Sequence, residues 1–121
     1  MTYRITAPAE RDIKSILAET LKVFGTLQLA VYVAIIDRAL AMVGEEPDRP
    51  GSIDRSEIRP GVRLFHLGLA AGRRGAAAHC IYYATGRMTD GSMGAIVLRI
   101  LQEGMEPRHK ILPTKAKSRR S

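Results

Sequence analysis

Two arginines in otherwise apolar segments are the residues of this chain whose type and position best suit chemistry. Arg63 lies in the alternating segment 61–68, and Arg99 lies inside the apolar run 96–101. Burying an unpaired guanidinium group is costly, so such an arginine either pairs with a carboxylate at the surface of a sheet or projects onto a functional face. On a functional face it would suit a phosphate group. The sequence leaves both interpretations open.

The three histidines are too scattered along the sequence to indicate a metal site. His79 precedes the apolar stretch 80–83 and is interpreted as a hydrogen-bonding anchor, with a general base as the alternative. The chain also lacks the glycine-rich, nucleophile-elbow, zinc-binding and paired-cysteine motifs of common enzymes. We therefore expect no cofactor, no metal ion and no catalytic residue of these kinds.

The charge distribution indicates an acidic partner. The chain has 121 residues and a formal net charge of +7. Residues 1–60 carry −1 (8 Lys and Arg, 9 Asp and Glu), and residues 61–121 carry +8 (11 Lys and Arg, 3 Asp and Glu). Part of the excess lies in 112–121, which we expect to be a basic, disordered tail. The asymmetry survives without that tail and favours an acidic macromolecule as partner.

Two helices are predicted near the N-terminus, after a short strand over 2–6. Apolar residues recur at helical spacing between Pro8 and Phe24, and Gly25 ends that helix. The second helix should cover 27–43, because 17 residues without Gly or Pro are too many for a typical strand. Its first part is apolar nearly all round, which indicates either deep burial or a surface for a partner.

Three strands are predicted in the second half, over 61–68, 77–84 and 94–102, joined by glycine-containing hairpin loops. The expected fold is α+β, in the order β-α-α-β-β-β, with a helical hairpin on one face of a small antiparallel sheet. The other face should stay open and collect basic residues. We expect a single domain over 1–111. The run 27–36 is too short to span a bilayer and a single cysteine gives no internal disulfide, so we expect a cytoplasmic protein.

Several short motifs follow one another along residues 2–111. They are Tyr3-Arg4-Ile5, Ala9-x-x-Asp12-Ile13, Phe24-Gly25, Ala30-x-Tyr32, Arg59-Pro60-Gly61-x-Arg63-x-Phe65, His79-x-Ile81-Tyr82-Tyr83 and Ile96-x-Leu98-Arg99-Ile100-Leu101. In this order they resemble the ParE family of the RelE/ParE toxin–antitoxin superfamily. Each motif alone is short, and the resemblance depends on the ordered set.

The resemblance implies a toxin that poisons DNA gyrase, performs no catalysis and is neutralised by a ParD-like antitoxin. That antitoxin carries an acidic flexible segment and a DNA-binding domain, so DNA would be contacted only indirectly and no membrane is involved. The candidate residues for target binding are Arg63, Arg99, Met105, Arg108 and His109. The candidates for antitoxin binding are Phe24, Leu29, Tyr32 and Ile36.

Two alternatives come with the resemblance. RelE-like toxins cut messenger RNA on the ribosome, and Arg63, Arg99 and His109 would then form the site. The chain has no tyrosine after Tyr83 and no Glu-Lys cluster beside the arginines, which disfavours this alternative. The other alternative is an inactive toxin-like module that only binds antitoxin.

Overall fold

The computed structural model describes residues 2–111, and the predicted tail 112–121 lies outside the described residues. The described residues form two long helices, two short ones, a single 3₁₀ turn and five strands. In chain order these are β1 (Tyr3–Ile5), α1 (Ala7–Phe24), α2 (Thr26–Glu45), β2 (Ile53–Asp54), β3 (Arg63–His66), α3 (Leu67–Ala71), the 3₁₀ turn (Arg74–Ala76), β4 (His79–Arg87), β5 (Met93–Gln102) and α4 (Arg108–Ile111). The predicted α+β fold, with helices packed on a sheet, is confirmed.

The two long helices form a hairpin whose ends are set by local chemistry. The side chain of Thr6 caps α1 by accepting the backbone N–H of Ala9 at 3.3 Å, and Pro8 occupies the first turn, where its missing N–H costs nothing. Gly25 separates the helices with a φ of +91°, a conformation that favours glycine. Helix α1 therefore begins and ends where the sequence predicts, whereas α2 continues past its predicted end at Val43, through Gly44 to Glu45.

The sheet is mixed rather than antiparallel, which corrects the predicted topology. Its strand order is β1-β5-β4-β3-β2, and β1 runs parallel to β5 while the other neighbours are antiparallel. Strands joined by a tight turn must be antiparallel, but β1 is joined to the rest by the helical hairpin and is free to run parallel. The alternation of apolar residues carries no information on strand direction.

Two apolar layers lie on the two faces of the sheet. The larger layer packs the helical hairpin against the first face and includes Ile36, Leu40, Ile81, Tyr83 and Val97. The second face is covered by the turns between β2 and β3 and by α4, which supply the side chains Ile58, Val62 and Ile111. The expectation of an open basic second face is wrong, because that face carries apolar side chains of its own that need cover.

Close approach of β1 to its neighbours requires glycine at two positions. The carbonyl of Thr2 accepts the N–H of Ala95 at 2.9 Å, and the Thr2 hydroxyl donates to the carbonyl of Gly44. A Cβ atom at Gly94 would lie 2.1 Å from the Thr2 carbonyl oxygen, and one at Gly44 would lie 3.0 Å from it. The backbone at Thr2 cannot move away from an added Cβ atom without breaking its hydrogen bond to Ala95 of β5.

We expect Gly94→Ala to destabilise the protein by about 2–3 kcal/mol, a typical cost of forcing extra atoms into packed backbone. Urea unfolding followed by circular dichroism measures this change. Gly91→Ala is not a suitable control because Gly91 has a positive φ, whereas Gly75→Ala meets no atom within 4 Å and has no such constraint. Equal stability of the Gly94 and Gly75 variants would contradict the tight docking of β1.

Candidate functional site

Arg99 is held by a carboxylate, so the structure realises the first of its two predicted interpretations. Its Nε donates to Asp12 Oδ2 at 2.7 Å and its Nη2 donates to Asp12 Oδ1 at 2.8 Å. The pairing of β1 with β5 ends at Val97, and three residues further along β5 Asp12 Oδ2 accepts the N–H of Ile100 at 3.0 Å. The hydrogen bond to Asp12 raises the pKa of Arg99 above its usual value. Asp12 thus replaces the missing strand along this part of β5.

The remaining candidates for target binding are distributed over two places. Arg63 donates to the hydroxyl and carbonyl oxygens of Ser52, on the far side of β4 from Arg99. Arg108 and Met105 are exposed near α4, and Arg99 Nη1 reaches this helix through the carbonyl of Lys110 at 3.2 Å. His109 lies in α4, and the position of its side chain is not described. The structure brings Arg99 close to α4 and leaves Arg63 on β3.

Two of the four antitoxin-binding candidates are not on the surface. Tyr32 is 7% exposed and Ile36 is 3% exposed, and both belong to the main apolar core. Their four-residue spacing places them on one helix face, and that face packs on the sheet. The prediction that they dock a partner is therefore wrong. Leu29 is half-buried, and Phe24 is exposed at the end of α1.

His79 is a hydrogen-bonding anchor, as predicted. Its Nδ1 lies 2.7 Å from the hydroxyl of Tyr32, which also accepts the backbone N–H of Ala78 at 3.2 Å. Burial lowers the pKa of His79 and raises the pKa of Tyr32, so both groups are neutral at pH 7. These hydrogen bonds connect Tyr32 on α2 with His79, the first residue of β4, and with Ala78 just before it.

The exposed face of α2 forms an apolar groove with α3, which we call the α2–α3 groove. Its cavity is about 500 Å³. The lining residues are Val31, Ala34, Ile35, Arg38, Ala70, Ala71, Arg73 and Ala76. Two of these are arginines and the other six are apolar. The sequence does not predict this groove, because α3 lies in a segment whose pattern indicates the end of a strand and a hairpin loop.

Large apolar side chains are also exposed at the tip of the helical hairpin, next to this groove. Leu27 is 85% exposed, Phe24 68% and Val31 49%. Leu27 and Val31 are one helical turn apart, so their side chains neighbour each other on α2. Clustered exposed apolar residues of this size are typical of a surface that binds another macromolecule.

Helix α2 also meets the length and composition of a membrane-spanning helix. Its most apolar 18-residue window has a mean hydropathy of 1.6, with 39% of that window buried inside the protein. The expectation that this segment is too short to span a bilayer considered only 27–36, whereas the helix continues to Glu45. Core helices of soluble proteins have the same composition, so this is weak evidence for a membrane.

No known family model and no curated protein matches this chain. Among the side chains that the structure describes, no group of three or more His, Cys, Asp and Glu is arranged to hold a metal ion. The candidate site is therefore a binding surface. It consists of the α2–α3 groove, which contains two arginines, and the exposed apolar residues at the tip of the helical hairpin beside it. Apolar grooves on helical surfaces are one way in which proteins bind amphipathic segments of other polypeptides.

Proposed function

We propose that this chain is the toxin of a type II toxin–antitoxin module, of the ParE family within the RelE/ParE superfamily. It would act in the cytoplasm by binding DNA gyrase and would be neutralised by a ParD-like antitoxin. The ordered sequence motifs support the family, and the β-α-α hairpin arrangement on the sheet agrees with it. The observation that carries the proposal is the α2–α3 groove, because it gives an acidic antitoxin segment a place to bind.

Both the apolar and the charged lining residues of the groove suit an acidic amphipathic segment. Val31, Ala34 and Ala70 offer small apolar surfaces on which the apolar side of an amphipathic helix or strand packs. Arg38 and Arg73 would face its acidic side chains. Complementary charge of this kind mainly raises the association rate, whereas burial of the apolar floor slows dissociation.

Target binding is assigned to the surface at the end of β5 and α4. Arg108 is exposed there, with its nearest carboxylate, Glu106, at 4.0 Å from Nη1, and Met105 is 39% exposed. This surface is on a different part of the fold from the α2–α3 groove. A toxin with two separate surfaces can lose antitoxin binding without losing toxicity.

This separation gives a genetic test with a matched control. Expression of the chain should stop growth, and co-expression of its cognate antitoxin should restore it. The double variant Arg38→Glu and Arg73→Glu should remain toxic but escape neutralisation, because it reverses both charges at the groove. Arg87→Glu changes an exposed arginine at the far end of β4, where it contacts Gly91, and should still be neutralised.

Purified gyrase identifies the target. Micromolar protein should inhibit supercoiling and stabilise cleaved DNA, and no effect at that concentration would contradict gyrase as the target. Cleavage of messenger RNA in translating ribosomes, with gyrase unaffected, would favour the RelE-like alternative. Growth that continues normally on induction would favour the inactive antitoxin-binding module.

A further inference from the structure

Strand β1 forms one edge of the sheet, and the outer side of its backbone has no partner. The Thr2 carbonyl and the Thr6 N–H both bond to β5. Successive residues of a strand direct their backbone groups to opposite edges, so the N–H and C=O groups of Tyr3 and Ile5 point away from β5. No described residue hydrogen-bonds to these groups. Such an unpaired edge, which we call the β1 edge, is a template for an additional strand.

An apolar crevice adjoins the β1 edge, between α1 and α2. We call it the β1 crevice, and its cavity is about 290 Å³. Apolar side chains line it from all three elements, among them Tyr3 and Ile5 of β1, Leu17 of α1, and Val33 and Leu40 of α2. A strand added at the β1 edge would turn every second side chain toward the helices and so into this crevice.

The β1 crevice lies on the opposite side of α2 from the α2–α3 groove. Its lining residues on α2 include Val33 and Ile36, whereas the groove is lined by Val31 and Ala34. The two sets are offset by two residues, which is about 200° around a helix. A partner at the β1 edge therefore does not compete for the α2–α3 groove, and its binding does not rest on the proposed function.

Arg4 determines which charge suits a strand added at this edge. Its side chain is exposed on the face of β1 opposite to Tyr3 and Ile5, which pack against the main core. The structure gives this side chain no ion pair or hydrogen bond with a described residue. The residue of an added strand directly opposite Arg4 lies on the same face, so an acidic side chain there forms a favourable cross-strand pair.

The same charge disfavours two other occupants of the edge. A second copy whose β1 pairs antiparallel with this one, through Tyr3 and Ile5 of both copies, would place the two Arg4 side chains opposite each other, and like charges at such positions are destabilising. Residues 112–121 of the chain itself contain no acidic residue to pair with Arg4. An acidic segment of a different polypeptide has neither disadvantage.

The charged residues of the crevice do not change this preference. Glu10, Lys14 and Asp37 are all exposed and are of both signs. Water and salt therefore screen them, and they face the opposite side of the added strand from Arg4.

We propose that the β1 edge binds an extended segment of a partner polypeptide in which one acidic residue stands between two apolar residues. The segment would run antiparallel to β1, because two of its residues then satisfy all the outward groups of Tyr3 and Ile5. The side chains of these two residues would enter the β1 crevice, and the acidic side chain between them would reach Arg4. In this mode of binding the main chain supplies affinity and the alternate side chains supply specificity.

The experiment is a titration of the full, nitrogen-15-labelled chain with the peptide acetyl-Thr-Val-Glu-Val-Thr-amide, at up to millimolar concentration. We expect saturable nuclear magnetic resonance shifts of the backbone amides of Tyr3 and Ile5. The peptide with lysine in place of glutamate should bind about fivefold more weakly, because it places like charges opposite each other. A peptide with N-methyl groups on both valines lacks the two donors and should not bind. Shifts confined to other residues, or equal binding of the N-methylated peptide, would overturn the proposal.

Variants test the charge and the crevice separately. Arg4→Glu should reverse the preference, so that the lysine peptide binds about fivefold more tightly than the glutamate peptide. Arg59→Glu, between β2 and β3 near the opposite edge of the sheet, should keep the original order. An unchanged preference in Arg4→Glu would contradict the role of Arg4.

Val33→Asp places a carboxylate in the β1 crevice at a side chain that is 37% exposed, and should weaken binding of the glutamate peptide severalfold. Val23→Asp, at a 54% exposed side chain near the hairpin tip, is the matched control and should leave binding unchanged. Circular dichroism establishes that each variant folds. If Arg4→Glu does not fold, the two valine variants decide, and equal binding by both would overturn the proposal.

Discussion

Replacing Asp12 by alanine is expected to lower the free energy of unfolding by about 2–4 kcal/mol, as typically follows the removal of one partner from a largely buried ion pair. The substitution leaves the guanidinium of Arg99 without its carboxylate and the N–H of Ile100 without its acceptor. Both side chains of the pair are mostly shielded from water, with exposures of 13% for Asp12 and 23% for Arg99. Urea unfolding monitored by circular dichroism measures the loss.

Two further variants separate the contributions of charge and hydrogen bonding. Asp12→Asn keeps an oxygen for the Ile100 N–H, so it should lose less stability than alanine. Arg99→Met removes the cation but leaves Asp12 bonded to Ile100, so it should also lose less. A loss below about 1 kcal/mol for Asp12→Ala, the range of an exposed ion pair, would show that this contact does not fasten α1 to β5.

The role of Asp12 also changes how substitutions of Arg99 should be interpreted. Loss of toxicity in Arg99→Ala would reflect a weakened sheet edge as readily as a lost target contact. Arg108 is the better probe of the target surface because it is exposed and its N–H and guanidinium interact with a neighbouring residue of its own turn, Glu106. Toxicity should be compared between Arg108→Ala and the control Arg87→Ala.

The long elements were predictable because their signals are local. Pro8, Gly25 and the apolar spacing between them determine α1, and the absence of helix breakers determines α2. The parallel pairing of β1 with β5 and the cover over the second face were not predictable. Both depend on contacts between residues some 40 to 90 positions apart, such as Thr6 with Val97, and no local pattern encodes such contacts.

The candidate site was predictable only in part, for a related reason. Exposed Phe24 follows from the apolar character of the hairpin tip, but the burial of Tyr32 depends on its partner His79, 47 residues away. The arginine at 99 had two physically reasonable roles, and the carboxylate that decides between them lies 87 residues earlier. The α2–α3 groove needed α3, a five-residue helix without a long periodic pattern.

Introducing aspartate at two positions of α2 should separate its core face from its docking face. Ile36→Asp is expected to cost more than about 4 kcal/mol, because an ionised carboxylate would be buried in the main core without a partner. The helical signal in circular dichroism should be lost, and with it all toxicity.

Val31→Asp, five residues earlier on the same helix, should have the opposite outcome. Its side chain is half-exposed in the α2–α3 groove, and exposed substitutions usually change stability by less than about 0.5 kcal/mol. The variant should keep its fold and its toxicity but resist neutralisation. The new carboxylate repels an acidic segment, and its hydration prevents apolar side chains of that segment from packing against the groove. Ile36→Val, with an expected cost of about 0.5–1.5 kcal/mol, controls for substitution at the core position. If Val31→Asp were neutralised as efficiently as the unchanged protein, the antitoxin segment would bind elsewhere, and the α2–α3 groove would lose its assigned role.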